Sequence, residues 1–296
     1  MKKTARMADA RLFSAPAKVN LYLHVTGRRD DGYHYLDSLI TFAGVGDTVT
    51  ASPATGLTLK VEGPFADAVP AGPENLALKA ARQLAAATGK SAKGAAITLV
   101  KRLPAAAGLG GGSADAAAAL KALIHLWGVD IEAEALAEIA LRLGADVPVC
   151  LAGGCVFVSG VGEIISKAPP LPPAWLALVN PGVPLSTPAV FSARNGDFSQ
   201  PAPFSEAPAD ARALAQVLAS RRNDLTEAAQ RLAPEVGTAL AALKDQDGAL
   251  LARMSGSGAT CFALFAEEDE AVAAVGRLAA KYPKWWVTAA PLLAAS

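Results

Sequence analysis

A glycine-rich stretch of the sequence joins a predicted strand to a predicted helix, and it constrains the fold more than any other feature. Residues 97–103 are β-branched or apolar at alternate positions, a pattern typical of a strand. Residues 114–127 are rich in alanine and leucine and stop before Gly128, where a helix C-cap is expected. The glycines of the stretch are Gly108, Gly110, Gly111 and Gly112. They lie in the connection between the predicted strand and the predicted helix.

This position predicts a phosphate-binding loop. The first amide groups of a helix have no intrahelical partner and carry the positive end of the helix dipole, so they attract phosphate oxygens. Glycine has no Cβ and tolerates positive φ, which lets the backbone fold closely around an anion. Ser113 adds a hydroxyl that can bind a phosphate or a magnesium ion.

Two common nucleotide-binding loops do not fit the spacing of these glycines. A Walker A loop ends in Gly-Lys-Ser/Thr, but no lysine precedes Ser113. A Rossmann fingerprint matches only at Gly108 and Gly110, and the segment that follows the helix is not a strand closed by an acidic residue. From the glycines alone, the alternative that remains is a flexible linker in an alanine-rich chain.

Composition excludes several classes of protein. The chain has 296 residues, enough for one large domain or two ordinary ones with a substantial core. Its net charge is zero and only 18% of its residues are charged, which argues against a dedicated nucleic-acid binder. It has no run of about eighteen purely apolar residues, so no membrane segment is expected.

The cysteines and the N-terminus indicate a cytoplasmic protein. Cys150, Cys155 and Cys261 are odd in number and have no C-x-x-C spacing, so neither a disulfide framework nor a zinc site is expected. We expect three small buried thiols in a reducing cytoplasm. Residues 1–11 are basic but lack the apolar middle of a signal peptide, and they are interpreted as a frayed tail.

Residues 18–25 alternate without exception and predict a strand with one polar face. Lys18 and Asn20 would place an ammonium and a carboxamide side by side at the start of this strand. For Tyr22 and His24, on the same face, the favoured interpretation is plain exposure to solvent.

The turn that follows, residues 26–35, has a glycine near each end and brings three rings together at Tyr33, His34 and Tyr35. Aromatic side chains on a loop can stack on a planar ligand. They can equally pack on the sheet of a hairpin, and spacing alone leaves both alternatives open. Residues 36–50 then predict extended structure that ends in a turn at residues 44–47.

Asp146 lies in the sequence Gly-Ala-Asp-Val-Pro, directly after a helix predicted from about residue 130 to Leu143. Pro148 is expected to force Val147 out of helical geometry and to hold Asp146 in a short rigid turn. A carboxylate at the negative end of a helix gains no stability from the dipole. It is a candidate general base or magnesium ligand, with an ordinary turn aspartate as the alternative.

The other predicted elements place the remaining motifs. A helix over residues 74–84 begins next to Asn75, which could cap it or face a ligand. The prolines of residues 169–173 mark a boundary between two halves. The other elements are a hairpin over 155–165, a strand over 175–179, and a turn over 254–260 before a buried strand at 261–265.

Three of these segments together, in their order, resemble the motifs of the GHMP kinase superfamily, which includes galactokinase, homoserine kinase and mevalonate kinase. They are Pro16–Asn20, Pro104–Asp115 and Met254–Gly258. Within the superfamily, residues 18–23, 27–34, 108–113 and 144–148 are similar to a branch that phosphorylates a cytidine diphosphate-linked sugar alcohol in isoprenoid precursor synthesis. The resemblance spans residues 14–265.

The resemblance implies a two-domain α+β fold, with a ribosomal-protein-S5-like N-terminal domain over residues 1–168 and a ferredoxin-like C-terminal domain over residues 169–296. It also implies an ATP-dependent transfer of a phosphoryl group to a small alcohol, with Mg²⁺. The residues that it assigns to ATP are Pro104, Ala105, Ala106, Ala107, Gly108, Leu109, Gly110, Gly111, Gly112, Ser113 and Ala114.

For catalysis, the resemblance implies that Asp146 takes or orients the hydroxyl proton and that Lys18 lies near both the carboxylate and the hydroxyl. Phosphoryl transfer needs mainly an aligned nucleophile and positive charge around the phosphates. Ser113 would be the magnesium ligand.

On the substrate side, the resemblance implies that Asn20 helps to fix the acceptor and that Tyr33 stacks on cytosine while His34 hydrogen-bonds its edge. The region around Pro181 and Thr187 would complete this side.

The chain departs from the superfamily at one point. Many members have Gly-Leu-Gly-Ser-Ser-Ala, where this chain has Gly111-Gly112 in place of the first serine and its neighbour. Ser113 is then the one hydroxyl candidate for magnesium, and no second acidic ligand stands out.

Two alternative functions remain. One is a kinase of the same superfamily that acts on a mevalonate- or homoserine-type alcohol, and the other is a regulatory protein that binds a nucleotide without catalysis. The pair of Lys18 and Asp146 argues against the regulatory protein, because binding alone needs no base. The oligomeric state, a homodimer included, stays open.

Overall fold

The computed structural model describes residues 11–89 and 93–293, and the chain within them is a mixture of helices and strands that divides into two compact units. Apart from Arg11, the predicted N-terminal tail lies outside the described residues. Unit 1 contains residues 11–15, 46–89, 93–102 and 112–151, and unit 2 contains residues 16–45, 103–111 and 152–293. Because both units are discontinuous in sequence, the domain boundary at residue 168 stays a prediction.

Unit 1 is built from strands of a six-stranded sheet and several helices. Here the sheet joins the second half of β2 (His34–Ala54) to β4 (Gly94–Val100) in antiparallel pairing, and β3 (Leu57–Glu62) pairs with β4 in parallel. The helices are α1 (Leu76–Ala87), α2 (Gly111–Trp127), α3 (Ala133–Leu143) and α4 (Val147–Ala152), with a 3₁₀ turn at Ala66–Ala68. Asn75 caps α1, because its side chain accepts a hydrogen bond from the amide of Ala77 at 2.9 Å.

Unit 2 contains the other strands of this six-stranded sheet and a separate four-stranded sheet. The six-stranded sheet joins β1 (Phe13–Arg28) and the first half of β2 to β5 (Val156–Gly160) and β6 (Ile164–Lys167). The four-stranded sheet is antiparallel in the order β10-β7-β9-β8. Its strands are β7 (Trp175–Asn180), β8 (Leu251–Met254), β9 (Cys261–Phe265) and β10 (Trp286–Pro291), and the helices of the unit are α5 (Thr187–Ala193), α6 (Ala211–Ala219), α7 (Thr226–Leu232), α8 (Glu235–Lys244) and α9 (Glu268–Lys281).

Unit 2 contains two hydrophobic clusters, and β1 contributes side chains to both. Val19 and Leu21 belong to the cluster that also contains Leu109 of the glycine-rich loop. Leu23 and Val25 belong to the second cluster, with the opposite face of β9. The apolar side chains at every second position from Val19 to Val25 are therefore buried, which is what the sequence pattern predicts.

The prediction that Tyr22 and His24 face solvent is wrong, because both are buried. The hydroxyl of Tyr22 donates to Asp37 at 3.0 Å. The Nε2 atom of His24 accepts from the amide of Arg222 at 3.2 Å, so its Nδ1 atom donates to the carbonyl of Gln200 at 2.9 Å. Polar partners from distant parts of the chain cover this face of β1, and local alternation cannot reveal them.

Several predicted boundaries are confirmed and one turn is wrong. α2 ends at Trp127 before Gly128, which has φ +57°, and β7 starts at Trp175. The turn predicted at residues 44–47 does not form, since β2 continues through it to Ala54. Gly44 is needed there for another reason: a Cβ at this position would lie 2.7 Å from Cγ of Pro291.

Candidate active site

The glycine-rich loop is held by its carbonyl groups. Three consecutive carbonyls, those of Ala107, Gly108 and Leu109, accept hydrogen bonds from the amide of Thr260 (3.1 Å), the hydroxyl of Ser255 (3.0 Å) and the amide of Lys18 (2.9 Å). All of these residues belong to unit 2. The loop is therefore fixed in its conformation rather than being a flexible linker, and the linker alternative is ruled out.

Gly108 is required by a close approach between two backbones. Its φ is +75°, and a Cβ on it would lie 2.5 Å from the carbonyl oxygen of Ser255 and 2.8 Å from that of Gly258. No side chain fits at such distances. Gly108 therefore allows the loop to pack on the turn of residues 254–260, which is a structural role that its position in the sequence did not reveal.

Gly110 leaves room for the side chain of Lys18. Its φ is +61°, and a Cβ on it would lie 3.2 Å from both Cβ and Cε of Lys18. Lys18 itself is buried. The missing side chain at position 110 thus shapes the path of a candidate catalytic lysine as well as the backbone of the loop.

Gly111 and Gly112 do not have the positive φ that the sequence analysis allowed for them. α2 begins at Gly111, so both residues are helical, and Ser113 and Ala114 follow them in the same helix. The first amides of a helix lack carbonyl partners within it. Gly112 is exposed and Ser113 is half-buried, so the start of α2 carries donors without bulky side chains over them.

Asn20 is a buried amide with one unused acceptor. Its Nδ2 atom donates to Ser38 at 2.8 Å, and its backbone amide donates to the hydroxyl of Ser255 at 3.1 Å. Its Oδ1 atom is buried and accepts no hydrogen bond from the described residues. A buried acceptor without a donor is costly, so Asn20 is suited to a ligand that donates a hydrogen bond.

The aromatic residues of the turn after β1 separate in the structure. Tyr33 is 67% exposed, which does not agree with a ring packed on the sheet. His34 lies on the ring of Phe191 in α5, with 5.2 Å between the ring centroids and 30° between the planes. Burial, together with the charges of Arg28 and Arg194, lowers the pKa of His34, so its ring is neutral at pH 7. Sequence reasoning did not select Phe191.

Thr187 begins α5 and is joined to the glycine/serine turn. Its hydroxyl and that of Ser257 are 2.7 Å apart. Asn223, which sequence reasoning also missed, holds the same turn: its Nδ2 atom donates to the carbonyls of Met254 and Gly256, each at 2.8 Å. A lone asparagine next to an aspartate in a loop has no sequence signal that would single it out.

Asp146 lies in the short turn between α3 and α4, as predicted, but the prediction that Pro148 forces Val147 out of helical geometry is wrong. Val147 and Pro148 are the first residues of α4, and the amide of Cys150 donates to the carbonyl of Asp146 at 3.0 Å. Proline fits the first turn of a helix because no amide is needed there. The half-buried carboxylate therefore precedes the positive end of α4.

Unit 1 contains a buried group of charges that sequence analysis did not select. The ammonium of Lys101 donates to the carboxylates of Asp47 and Asp115, the latter at 2.7 Å. Burial opposes the charge of Lys101, but the carboxylates of Asp115 and Asp47 outweigh it and raise the pKa of Lys101. We call this group the ion triad.

Within residues 11–89 and 93–293, no group of three histidine, cysteine, aspartate or glutamate side chains is arranged to hold a metal ion. Cys150, Cys155 and Cys261 are buried thiols, as expected, and none of them forms a disulfide. None of the described helices is both long enough and apolar enough to span a membrane.

Comparisons with known proteins agree with the order of the motifs. Residues 75–154 match the family of GHMP kinases N terminal domains, and residues 206–284 match the GHMP kinases C terminal family. The chain is 61% identical to 4-diphosphocytidyl-2-C-methyl-D-erythritol kinase of Paramagnetospirillum magneticum over 94% of this chain and 97% of that protein. The enzyme of the same name from Rhodospirillum rubrum is 50% identical over 97% of this chain and 94% of its own length.

A solved structure is similar as well. The crystal structure of a 4-(cytidine 5'-diphospho)-2C-methyl-D-erythritol kinase superposes with a TM-score of 0.79 at 36% identity, covering 95% of this chain and 99% of the other. Similarity at this level extends over both units.

Proposed function

The chain belongs to the 4-diphosphocytidyl-2-C-methyl-D-erythritol kinase family of GHMP kinases, and on this premise we propose that it phosphorylates the 2-hydroxyl of 4-diphosphocytidyl-2-C-methyl-D-erythritol. It is an ATP-dependent kinase with the GHMP kinase fold. The reaction belongs to the non-mevalonate synthesis of isoprenoid precursors. The two relatives at 61% and 50% identity favour this acceptor over the mevalonate- or homoserine-type alcohol that the motifs left open.

The glycine-rich loop and the start of α2 are proposed to hold the phosphates of ATP. Glycine at positions 110, 111 and 112 keeps side chains away from the backbone, and the first amides of α2 supply donors at the positive end of its dipole. The observation that carries this proposal is the hydrogen bond from the amide of Lys18 to the carbonyl of Leu109, because it joins the first motif to the loop.

Ser113 is proposed as the side chain that binds Mg²⁺. Its hydroxyl is a hard oxygen ligand in the first turn of α2, which suits the ion. Mg²⁺ in nucleotide sites keeps several waters and is bound in large part by substrate phosphates, so Ser113 would supply one part of its coordination. When bound, the ion neutralises negative charge on the phosphate oxygens.

Asp146 and Lys18 are proposed as the catalytic residues. As the acceptor oxygen forms its bond to the γ-phosphorus and the bond to the β–γ bridging oxygen breaks, the hydroxyl proton passes to the carboxylate of Asp146. The ammonium of Lys18 supplies positive charge, which phosphoryl transfer needs around the transferred group. The room that Gly110 leaves for the Lys18 side chain supports a fixed position of that ammonium in unit 2.

Asn20, Tyr33, His34 and Thr187 are proposed to bind the acceptor. The exposed ring of Tyr33 and the neutral ring of His34 suit a flat base, by stacking and by a hydrogen bond respectively. The unused Oδ1 atom of Asn20 suits a donor on the acceptor. Thr187 is exposed at the start of α5 and suits a polar contact.

Further parts of the proposal concern the protein as a whole. The three buried cysteines, none of them in a disulfide, support a reducing, cytoplasmic location. The boundary between the N-terminal and C-terminal domains is proposed to lie near residue 168 of the sequence, between the two family matches. A homodimer stays a prediction, and sedimentation of the purified chain tests it.

The experiment is a coupled assay of ADP release over a panel of alcohols with and without a cytidine diphosphate group. Asp146→Asn is expected to lower kcat by a factor on the order of hundreds while leaving the KM for ATP nearly unchanged, because it removes the proton acceptor alone. Asp130→Asn, an exposed aspartate in the same unit, is the matched control. Retained turnover in Asp146→Asn removes that residue from its role, and equal rates without cytidine remove the proposed acceptor.

A further inference from the structure

The ion triad connects the two ends of the glycine-rich loop. Lys101 directly follows β4 and precedes Leu103, the first loop residue, by two positions. Asp115 lies in the N-terminal part of α2, four positions after Gly111. The Lys101 Nζ atom donates to the carboxylate of Asp115 at 2.7 Å, so one charged contact joins the residues that precede the loop to those that follow it.

Asp47 adds a third attachment from β2. One of its oxygens accepts from the ammonium of Lys101, and the other accepts from the amide of Arg102 at 2.5 Å. The strand β2, the end of β4 and the start of α2 are therefore held at one point. Hydrogen bonds to charged groups are the stronger ones, so this point is more rigid than a neutral contact of the same size.

Stability alone does not explain the triad. Lys101, Asp47 and Asp115 are 2%, 0% and 3% exposed, so three charged groups are removed from water. One ammonium faces two carboxylates, and the Oδ1 atom of Asp115 accepts no hydrogen bond from any described residue. Replacing such a buried group by apolar side chains of similar volume is often neutral or stabilising. What an apolar contact would not reproduce is a fixed direction and distance between β4 and α2.

We propose that the Lys101–Asp47–Asp115 triad positions the phosphate loop. It sets the distance between the two ends of the loop and thereby the direction in which the first amide groups of α2 point. This inference rests on the proposed role of the loop in ATP binding. The buried side chains of Asp115 and Lys101 would act through the backbone of the loop, so we class them as positioning residues. A misplacement of about 1 Å is enough to cost about a hundredfold in a site of this kind.

The experiment compares Asp115→Ala with Asp115→Asn in the full chain. Asp115→Ala removes the contact to α2 but leaves Lys101 paired with Asp47, so no buried charge loses its last counterion. We expect the KM for ATP to rise at least about tenfold while the KM for the cytidyl alcohol changes less than about twofold. Asp115→Asn keeps an acceptor oxygen for Lys101, and its KM for ATP is expected to stay within about threefold of the parent.

Two controls separate this proposal from its premise. Glu138→Ala removes an exposed carboxylate that is paired with Arg142 in the same unit, and both KM values are expected to stay unchanged. Gly110→Val tests the loop itself. If Gly110→Val leaves the KM for ATP unchanged, the loop assignment and the triad proposal both fall. If Gly110→Val raises it and Asp115→Ala does not, only the triad proposal falls.

A parallel rise of both KM values in Asp115→Ala, without rescue in Asp115→Asn, would show a general loss of structure and overturn the positioning role. If Asp115→Ala does not fold, Asp115→Glu decides. It keeps the charge but moves the carboxylate by one methylene, and the KM for ATP is expected to rise about fivefold or more. An unchanged KM in Asp115→Glu overturns the proposal.

Discussion

The glycine-rich loop is fixed by two regions of opposite chemistry. The ion triad acts at its ends through buried charges, with Lys101 shared between Asp47 and Asp115. The turn of residues 254–260 acts at its middle through neutral groups, with the amide of Thr260 and the hydroxyl of Ser255 donating to loop carbonyls. The first region depends on which groups carry protons, and the second does not.

The difference also appears in how each region satisfies its polar atoms. In the turn, both protons of the Asn223 amide reach carbonyls, and its Oδ1 atom accepts from the amide of Leu225 at 3.0 Å. In the triad, one oxygen of Asp115 has no donor among the described residues. A neutral network whose polar atoms are all hydrogen-bonded stabilises the turn independently of protonation. The stability of a buried group with more negative than positive charges changes with any gain or loss of charge.

Lys101→Met is expected to have the largest effect on stability. It leaves buried carboxylate charge without a counterion, so the free energy of unfolding should fall by about 3–5 kcal/mol. Urea denaturation followed by circular dichroism measures it. Lys79→Met, which removes an exposed lysine paired with Glu74, is the control and should cost less than about 1 kcal/mol. Equal losses in the two variants would mean that the triad is no different from a surface pair.

Asp115→Asn is expected to change the pH dependence of stability. Burial, partly offset by Lys101 and reinforced by Asp47, raises the pKa of Asp115 to about 7. A carboxyl whose pKa is higher in the folded state binds a proton more tightly there, so its contribution to stability falls as pH rises from about 4 to about 7.

The stability of Asp115→Asn relative to the parent should therefore increase over that interval, by an amount on the order of 3 kcal/mol. Urea titrations at pH 5 and pH 8 measure the difference. A constant difference between the two pH values would contradict the raised pKa. In the neutral turn, Ser255→Ala is the comparison, and its effect should not depend on pH.

Asn223→Ala is expected to have the smallest effect of the three. It leaves the carbonyls of Met254 and Gly256 without their donor, which should cost about 2 kcal/mol, independent of pH. Urea denaturation measures this, and Asn195→Ala, at an exposed asparagine, is the control. A strong dependence on pH in Asn223→Ala would remove the distinction between the neutral and the charged region.

Part of the fold was predictable because it depends on patterns of residues that are close together in the sequence. Alternation gave β1 and its hydrophobic face, and glycine after an apolar run gave the end of α2 at Trp127. The order of the three motifs indicated the kinase superfamily, and the family comparisons confirm it. The candidate residues of the site stay predictions, since their roles depend on bound substrates.

The sequence by itself determined β1, the end of α2, the order of the motifs and the family, because hydrophobic period, helix ends and short motifs depend on residues close together in the chain. Only the tertiary structure decided that Tyr22 and His24 are buried, that Gly108 makes room for the carbonyl of Ser255, and that Lys101 is paired with Asp47 and Asp115. These contacts join residues far apart in sequence. Burial and charge pairing are properties of what surrounds a residue in space, and no local pattern carries that information.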